Sequence, residues 1–250
     1  MNAGVCSYCF NKLFLNNEIS VPEAIRFVGT KTDSDFAVYD DEAAAECVSV
    51  VLQRLETTKL LGADRIRLDP RTSLPGNQDE ADLGDVLEKI AISMQEIADE
   101  AASRDLIVGV ENHGRLFGRT EQVALLVQLV DRTNFGVNID PTNFRVVFGE
   151  DHIEATRRLA KYVVHVHVKD ILISETEKPE SEGWRQSLAG DCWIKNAVGG
   201  TGDADWPTLF GILNDAGYDG TISLETVDPL DIRGSIREGV SNINRVIAEL

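Results

Sequence analysis

Short apolar runs alternate with amphipathic segments along most of this chain, and this alternation limits the folds that the chain can adopt. Residues 106–110 and Phe135–Ile139 are five-residue, largely apolar runs. Runs of this kind are typical of strands buried on both faces of a parallel sheet. Between them, Thr120–Val130 has apolar residues at helical spacing. Strands that alternate with helices on short connections predict an α/β fold with a parallel sheet, either a (β/α) barrel or an open doubly wound sheet.

The same pattern predicts further elements within a single domain that spans residues 1–250. A long polar loop, which includes Pro179, Gly183 and Gly190, is predicted after residue 168. Strands are predicted at residues 4–8, 65–68, 162–168 and 220–224, and helices at residues 21–28, 42–61, 79–104, 153–159, 206–216 and 232–250.

Charge and hydropathy exclude several classes of partner. The formal net charge is −18, from 42 acidic and 24 basic residues, and such a surface repels phosphate backbones and anionic lipid. We therefore expect no nucleic-acid partner and no membrane partner. The sequence has no apolar run near the length of about 18 residues that a membrane span needs, and its first residues do not resemble a signal peptide. A cytoplasmic location is predicted, and the C-x-x-C pair Cys6 and Cys9 is interpreted as core packing.

Four side chains that can bind a metal ion lie at the ends of four consecutive predicted strands. In parallel α/β folds, functional residues cluster at the carboxyl ends of the strands. Any one of these residues has a simpler explanation, because polar residues often cap the following helix, but four in succession favour a shared site. A set of three carboxylates and one imidazole suits Mn²⁺, Mg²⁺ or Co²⁺ better than a structural zinc ion. The four residues are Glu111, Asp140, His167 and Glu225.

His165 lies two residues before His167 on the same predicted strand. Side chains two residues apart share one face of a strand. We expect His167 to bind the metal ion, and His165 to lie one layer deeper and support the site by hydrogen bonding.

Five segments occur in an order that resembles the xylose isomerase-like TIM-barrel superfamily of sugar and sugar-phosphate isomerases and epimerases. The resemblance extends from about residue 36 to the C-terminus. The segments read ENHG at 111–114, NIDPTNF at 138–144, HVHVKD at 165–170, GGTGDADW at 199–206 and SLET at 223–226.

This resemblance implies a (β/α)₈ barrel and a role for each strand-end residue. It places the metal ligands of the family on Glu111, Asp140, His167 and Glu225, with Mn²⁺ as the expected ion and Mg²⁺, Co²⁺ or Zn²⁺ as alternatives. The two glutamates inherit the roles of acid and base that move a proton next to a carbonyl group. The cation would stabilise the resulting enediolate, and no organic cofactor is needed.

Other residues of the resembling segments also have predicted roles. His113, Asn143 and Lys169 are predicted to bind the substrate, and Asp170 is predicted to support the metal ligands together with His165. Many epimerases of the family carry a histidine where this chain has Asn143, which can form hydrogen bonds but cannot transfer a proton near neutral pH.

The N-terminal part is short for an eight-stranded barrel. About sixty residues precede the strand predicted at 65–68, whereas three strand–helix units need about ninety. About one strand–helix unit is therefore predicted to be missing, which leaves six or seven strands. Because unpaired strand edges are unfavourable, we expect the gap to be closed by a partner subunit in a homo-oligomer or by rearranged N-terminal segments.

The leading functional prediction is a metal-dependent isomerase or epimerase of a small sugar or sugar phosphate. An inosose dehydratase-like lyase, which would use similar chemistry to expel water, and a truncated non-catalytic family member are the alternatives. The DNA-repair endonuclease branch of the superfamily is disfavoured, because it needs a histidine-rich cluster of three metal ions and this chain has four histidines in total.

Overall fold

The structure is a computed structural model that describes residues 1–6, 9, 30–35, 40–71, 83–226 and 231–250. The helices are α1 (Asp41–Leu60), α2 (Gly84–Ala102), α3 (Thr120–Val130), α4 (Pro141–Phe148), α5 (His152–Leu159), α6 (Trp206–Asp215) and α7 (Ile232–Ala248). The strands are β1 (Asn2–Val5), β2 (Thr30–Asp35), β3 (Arg65–Arg71), β4 (Ile107–Glu111), β5 (Phe135–Ile139), β6 (Val163–Val168), β7 (Asp170–Ser174), β8 (Arg185–Gln186), β9 (Trp193–Ala197) and β10 (Thr221–Leu224).

The described residues divide into two compact units. The first unit contains residues 1–6, 9, 140–161, 165–226 and 231–250, and the second contains residues 30–35, 40–71, 83–139 and 162–164. In the first unit, β10 forms parallel ladders with β1 on one side and with β6 on the other. In the second unit, β2, β3, β4 and β5 form successive parallel ladders in that order. The predicted α/β class with parallel strands is confirmed.

The core of the second unit explains why its strands read as apolar runs. Val108 and Val110 of β4 and Val137 of β5 are fully buried, as expected for strands covered on both faces. Helix α2 packs against β4 and has one apolar stripe, which includes Ile90, Met94 and Ile97. Each of these three stripe residues is also fully buried.

Most predicted elements are confirmed to within a few residues, and β5 and α3 have the predicted ends. The predicted helix at 21–28 lies outside the described residues, as do residues 7 and 8 of the predicted first strand and residues 79–82 of the predicted second long helix. No helix in the described ranges combines the length and the apolar character needed to cross a bilayer.

Three features of the fold, which comprise five elements, were not predicted. Strand β2 occupies Thr30–Asp35, where no strand was expected because its sequence TKTDSD is polar throughout; its position is fixed by the parallel backbone ladder to β3. The loop predicted after residue 168 instead contains an antiparallel sheet in the strand order β7–β9–β8. That sheet buries Ile171, Cys192 and Ile194 as a small apolar cluster, which offsets the cost of ordering the chain.

Helix α4 is the third unpredicted feature, and the residues at its start explain it. The Asp140 carboxylate accepts a hydrogen bond from the Thr142 amide at 3.1 Å, and Pro141 occupies the first turn. Both features are typical of helix starts. Asp140 therefore acts as a helix cap as well as a candidate ligand.

Gly136 on β5 is required by close backbone contact. A Cβ atom at this position would lie 2.4 Å from the Tyr162 carbonyl oxygen and 2.5 Å from Cγ1 of Val164. We expect Gly136→Ala to lower the free energy of unfolding by about 1–3 kcal/mol or more, because overpacking forces the backbone to shift. Urea unfolding measures the effect. Gly211→Ala on α6 is the control, since its Cβ atom would meet nothing within 4 Å and alanine favours helices by about 1 kcal/mol; equal losses in both variants would contradict this account.

His152 at the start of α5 is expected to make stability depend on pH. Burial lowers its pKa from the ordinary value of 6.5, against the opposing effect of Asp151. A base with a lower pKa in the folded state binds fewer protons there, so stability is lost as pH falls from 6.5 through that lower value. Between about pH 7.5 and 5.5, wild-type protein should therefore lose more unfolding free energy than His152→Gln. Equal losses in urea titrations at the two pH values would contradict this prediction.

Candidate metal centre

In the first unit, the register of the parallel ladders places the carboxyl ends of β1, β6 and β10 at the same edge of the sheet. His167 of β6 is the register partner of Ser223 on β10, and Ser223 is in turn the partner of Gly4 on β1. Beyond the strand ends, the Cys6 amide donates to the Leu224 carbonyl at 2.7 Å, and the Glu225 amide donates to the Val168 carbonyl at 2.8 Å. The backbone therefore fixes three side chains, those of Cys6, His167 and Glu225, at one edge.

These three side chains form a compact donor cluster. One ligand atom from each of Cys6, His167 and Glu225 lies within 4.8 Å of the other two. His167 Nδ1 and Glu225 Oε2 are 3.5 Å apart. Cys6 and His167 are buried, whereas the Glu225 side chain is 19% exposed. Sulfur, nitrogen and oxygen donors at this spacing can hold a divalent cation, and the exposed carboxylate can be reached by a small molecule.

Cys9 has a different environment from Cys6, although both are buried. Its Sγ atom accepts a hydrogen bond from the Thr226 amide at 3.1 Å and donates to the Leu224 carbonyl at 3.3 Å. Burial raises the pKa of the Cys9 thiol to about 12. Cys9 is thus a neutral thiol that fixes the backbone after β10, in keeping with its predicted packing role.

Asp140 lies in the same unit and is fully buried. Its Oδ2 atom is 3.0 Å from the Lys169 ammonium, which also donates to the Asn143 side-chain oxygen at 2.6 Å. Two of the predicted substrate-binding residues, Asn143 and Lys169, therefore contact each other and lie beside a predicted metal ligand.

His165 and Asp170, the predicted supporting residues, have distinct partners. His165 Nε2 lies 3.0 Å from the Ser223 hydroxyl oxygen, and its ring meets that of His167 edge-on with centroids 5.4 Å apart. The Asp170 carboxylate accepts hydrogen bonds from the Gly200, Gly202 and Ala204 amides at 2.8–3.2 Å. Burial raises the Asp170 pKa, and these amides oppose the shift. Asp170 thus anchors the glycine-rich segment 199–206.

Glu111 belongs to the second unit, where its buried carboxylate lies beside the side chain of Arg67. The guanidinium of Arg67 forms an ion pair with the Glu111 carboxylate and lies 3.6 Å from the Asp69 carboxylate. Asp69 is in turn 3.0 Å from Nδ1 of His113. Glu111 and Asp69 are each only 1% exposed, so these neighbours compensate two buried negative charges.

Three residues of these clusters were missed in the sequence analysis: Cys6, Arg67 and Asp69. Cys6 follows β1 directly, and Asp69 follows the predicted strand 65–68 directly. The rule that identified the four predicted ligands would also have selected Asp69, but not Cys6, which lies inside the first strand as predicted at residues 4–8. Arg67 is two residues before Asp69 and shares its face of the strand, but an arginine in a strand gives no specific signal of an ion pair.

Comparison with known proteins identifies the family to which the chain belongs. The sequence model of the family described as xylose isomerase-like TIM barrel matches residues 23–246. Inosose dehydratase of Clostridium perfringens is 29% identical over 114 residues, which is 45% of this chain and 37% of that protein. The chain therefore matches less than half the length of this relative.

Two solved structures show the same fold. D-psicose 3-epimerase of Clostridium cellulolyticum H10, solved with D-tagatose, superposes with a TM-score of 0.70 at 14% identity, over 99% of each chain. The IOLI protein, solved with a bound zinc atom, superposes with a TM-score of 0.69 at 16% identity, over 98% of this chain and 87% of its own. From the family match over most of its length, the chain belongs to the xylose isomerase-like TIM barrel family.

Proposed function

We propose that this protein is a divalent-metal-dependent isomerase or epimerase of a small sugar or sugar phosphate. The observation that carries the proposal is the pairing of the buried His167 with the partly exposed Glu225, 3.5 Å apart at the strand ends of a chain in this family. The imidazole can hold an ion there, while the carboxylate remains accessible to a substrate. The similarity in fold to D-psicose 3-epimerase supports the same reaction class.

The donor set fits a divalent cation. We propose Glu111, Asp140, His167 and Glu225 as ligands; Asp140 and His167 are buried in the first unit, and Glu111 is buried in the second. These four ligands alone, mostly oxygen, favour Mn²⁺, Mg²⁺ or Co²⁺. A bound cation supplies positive charge against the negative charge that develops on the substrate oxygens.

The side chains of the chain itself would move the proton. Glu225 is proposed to remove a proton next to the substrate carbonyl, because its carboxylate is the exposed member of the cluster. Glu111 is proposed to return a proton on the other face, a role that comes from the family resemblance. Such positioned acids and bases contribute about 10²–10⁴-fold to a rate.

Asn143 and Lys169 are proposed to bind substrate oxygens. Lys169 holds the Asn143 side-chain oxygen at 2.6 Å, which turns the amide nitrogen away from the lysine. That nitrogen is buried and has no hydrogen-bond partner among the described residues. A buried donor of this kind costs free energy unless it is satisfied, and a substrate hydroxyl or carbonyl oxygen would satisfy it.

A lyase resembling inosose dehydratase is the second candidate. It is favoured by the curated relative, although the match covers 37% of that protein. In this reaction Glu225 would again remove the carbon-bound proton, and the substrate would then lose a hydroxyl group as water. Lys169 would stand beside the departing oxygen.

Product analysis separates the candidates. Metal-loaded protein is incubated in D₂O with a panel of ketoses, inososes and hydroxypyruvate, and the products are followed by NMR. An isomerase or epimerase incorporates deuterium at carbon without loss of water, whereas a dehydratase forms an unsaturated or deoxygenated product. Binding of a metal ion without turnover of any substrate would contradict the proposal and favour a non-catalytic family member.

Three coarser expectations accompany the proposal. We propose that residues 1–250 act as one domain and that the protein forms a homo-oligomer, which light scattering tests; a stable monomer would contradict the oligomer. We also propose a cytoplasmic location, because none of the four cysteines, which all lie within the described residues, forms a disulfide bond, as is usual in reducing compartments.

A further inference from the structure

We propose that Cys6 is itself a ligand of the divalent cation, together with His167 and Glu225. The thiol would make the site selective for Zn²⁺ or Co²⁺ over Mn²⁺ and Mg²⁺. This inference deepens the proposed function, because it concerns the same ion. It is nevertheless tested by metal binding rather than by turnover.

The position of the thiol is the first argument. Cys6 follows β1 directly, as Glu225 follows β10, and the two strands are parallel neighbours. The amide of Cys6 extends that ladder through its 2.7 Å hydrogen bond to Leu224. The thiol is thereby placed in the row of strand-end side chains, within 4.8 Å of ligand atoms of both His167 and Glu225.

The contrast with Cys9 is the second argument. Both thiols are buried, but the Cys9 sulfur is occupied by two backbone hydrogen bonds. In the part of the chain that the structure describes, the Cys6 sulfur forms no hydrogen bond to the protein. Ligand atoms of an imidazole and a carboxylate, the two other side-chain types that bind transition metals, lie within 4.8 Å of it. Cys6 is 7% exposed, so its thiol lies in the interior and not at the surface.

The donor chemistry is the third argument. Thiolates are soft ligands that prefer zinc and cobalt, whereas sites built from oxygen alone suit magnesium and manganese. One sulfur, one nitrogen and one oxygen donor are also sufficient for a catalytic zinc site, which has three protein ligands and keeps an open position. Binding would replace the thiol proton by the ion, so that a sulfur–metal bond forms and one proton is released to solvent.

Cobalt spectroscopy tests the inference directly. Metal-free wild-type protein is titrated with Co²⁺, and the near-ultraviolet absorbance is recorded. We expect a thiolate-to-cobalt charge-transfer band that is lost in Cys6→Ser. The band should persist in Cys9→Ser and in Cys47→Ser, which remove a hydrogen-bonded thiol of the first unit and a thiol of the second unit. Competition with a metal chelator should show that Cys6→Ser weakens Zn²⁺ binding by more than the roughly 10–100-fold typical of mutating a residue that hydrogen-bonds a metal ligand. The affinity for Mn²⁺ should fall by a smaller factor.

A second measurement needs no variant, in case Cys6→Ser does not fold. Wild-type protein is treated with iodoacetamide under denaturant-free conditions with and without Zn²⁺, and the labelled peptides are identified by mass spectrometry. Zn²⁺ should protect Cys6 more than the partly exposed Cys47.

The outcomes distinguish this inference from the proposed function. A Cys6-dependent band without turnover of any sugar would support the thiol ligand and overturn the function. Cobalt bound without a charge-transfer band, or Zn²⁺ that leaves Cys6 unprotected, would overturn the thiol ligand and leave the function standing. Failure of wild-type protein to bind any divalent ion would overturn both.

Discussion

Glu225→Gln is expected to lower kcat by about 10²–10⁴-fold, the usual contribution of a positioned acid or base. The change keeps the shape of the side chain but removes its negative charge and its ability to accept a proton near neutral pH. Glu225 is partly exposed, so the fold should tolerate the change. Steady-state kinetics on whichever sugar the product analysis identifies gives the measurement.

Two comparisons make this result specific. Glu238→Gln on α7 removes an equal charge from an exposed glutamate and should leave kcat unchanged. The metal content of Glu225→Gln, measured at saturating metal concentration, separates loss of the base from loss of the ion. Activity within a few-fold of wild type in Glu225→Gln would contradict the role proposed for this residue.

Arg67→Met is expected to destabilise the protein by about 3–5 kcal/mol, because removal of one partner of a buried ion pair leaves the other charge uncompensated. The Glu111 side chain is only 1% exposed, and that of Arg67 is 12% exposed. Methionine approximates the volume of the arginine stem, so the loss reports charge more than packing. Chemical denaturation of metal-free protein gives the free energy of unfolding.

A double variant and a surface control test the cause. In Arg67→Met with Glu111→Gln, both charges are removed, and we expect much of the lost stability to return. Arg132→Met removes the guanidinium that pairs with the Asp99 carboxylate at the surface, 2.6 Å away, and should have little effect, since exposed ion pairs are weakly stabilising. If Arg67→Met is as mild as Arg132→Met, Glu111 does not depend on this counterion.

The sequence predicted helices and strands well where burial gives the apolar residues a regular spacing. Strand β5 and helix α3 were predicted to the residue, since a strand buried on both faces reads as an apolar run and a surface helix reads as a stripe. Strand β2 was missed because its residues TKTDSD are all polar and its ladder to β3 is made by backbone atoms. The β7–β9–β8 sheet was missed because its core of Ile171, Cys192 and Ile194 is assembled from segments separated in sequence.

The candidate site was predictable as far as the strand-end rule was applied. The rule selected Glu111, Asp140, His167 and Glu225, but it did not select Cys6, because the first strand was predicted at residues 4–8 and ends at Val5 in the structure. The C-x-x-C pair was interpreted as packing. For Cys9 that interpretation agrees with its hydrogen bonds to Leu224 and Thr226. The two thiols differ only in what surrounds each sulfur atom, which is information that a one-dimensional pattern does not carry.

Titration calorimetry with metal-free protein shows whether the chain binds a divalent ion through His167. Wild-type protein is expected to bind a single divalent ion per chain, and binding is expected to be lost in His167→Ala. His152→Ala, which changes a histidine outside the proposed ligand set, should bind as wild type does. A wild-type protein that binds no ion, or a His167→Ala variant that binds with unchanged affinity, would contradict the proposed metal site.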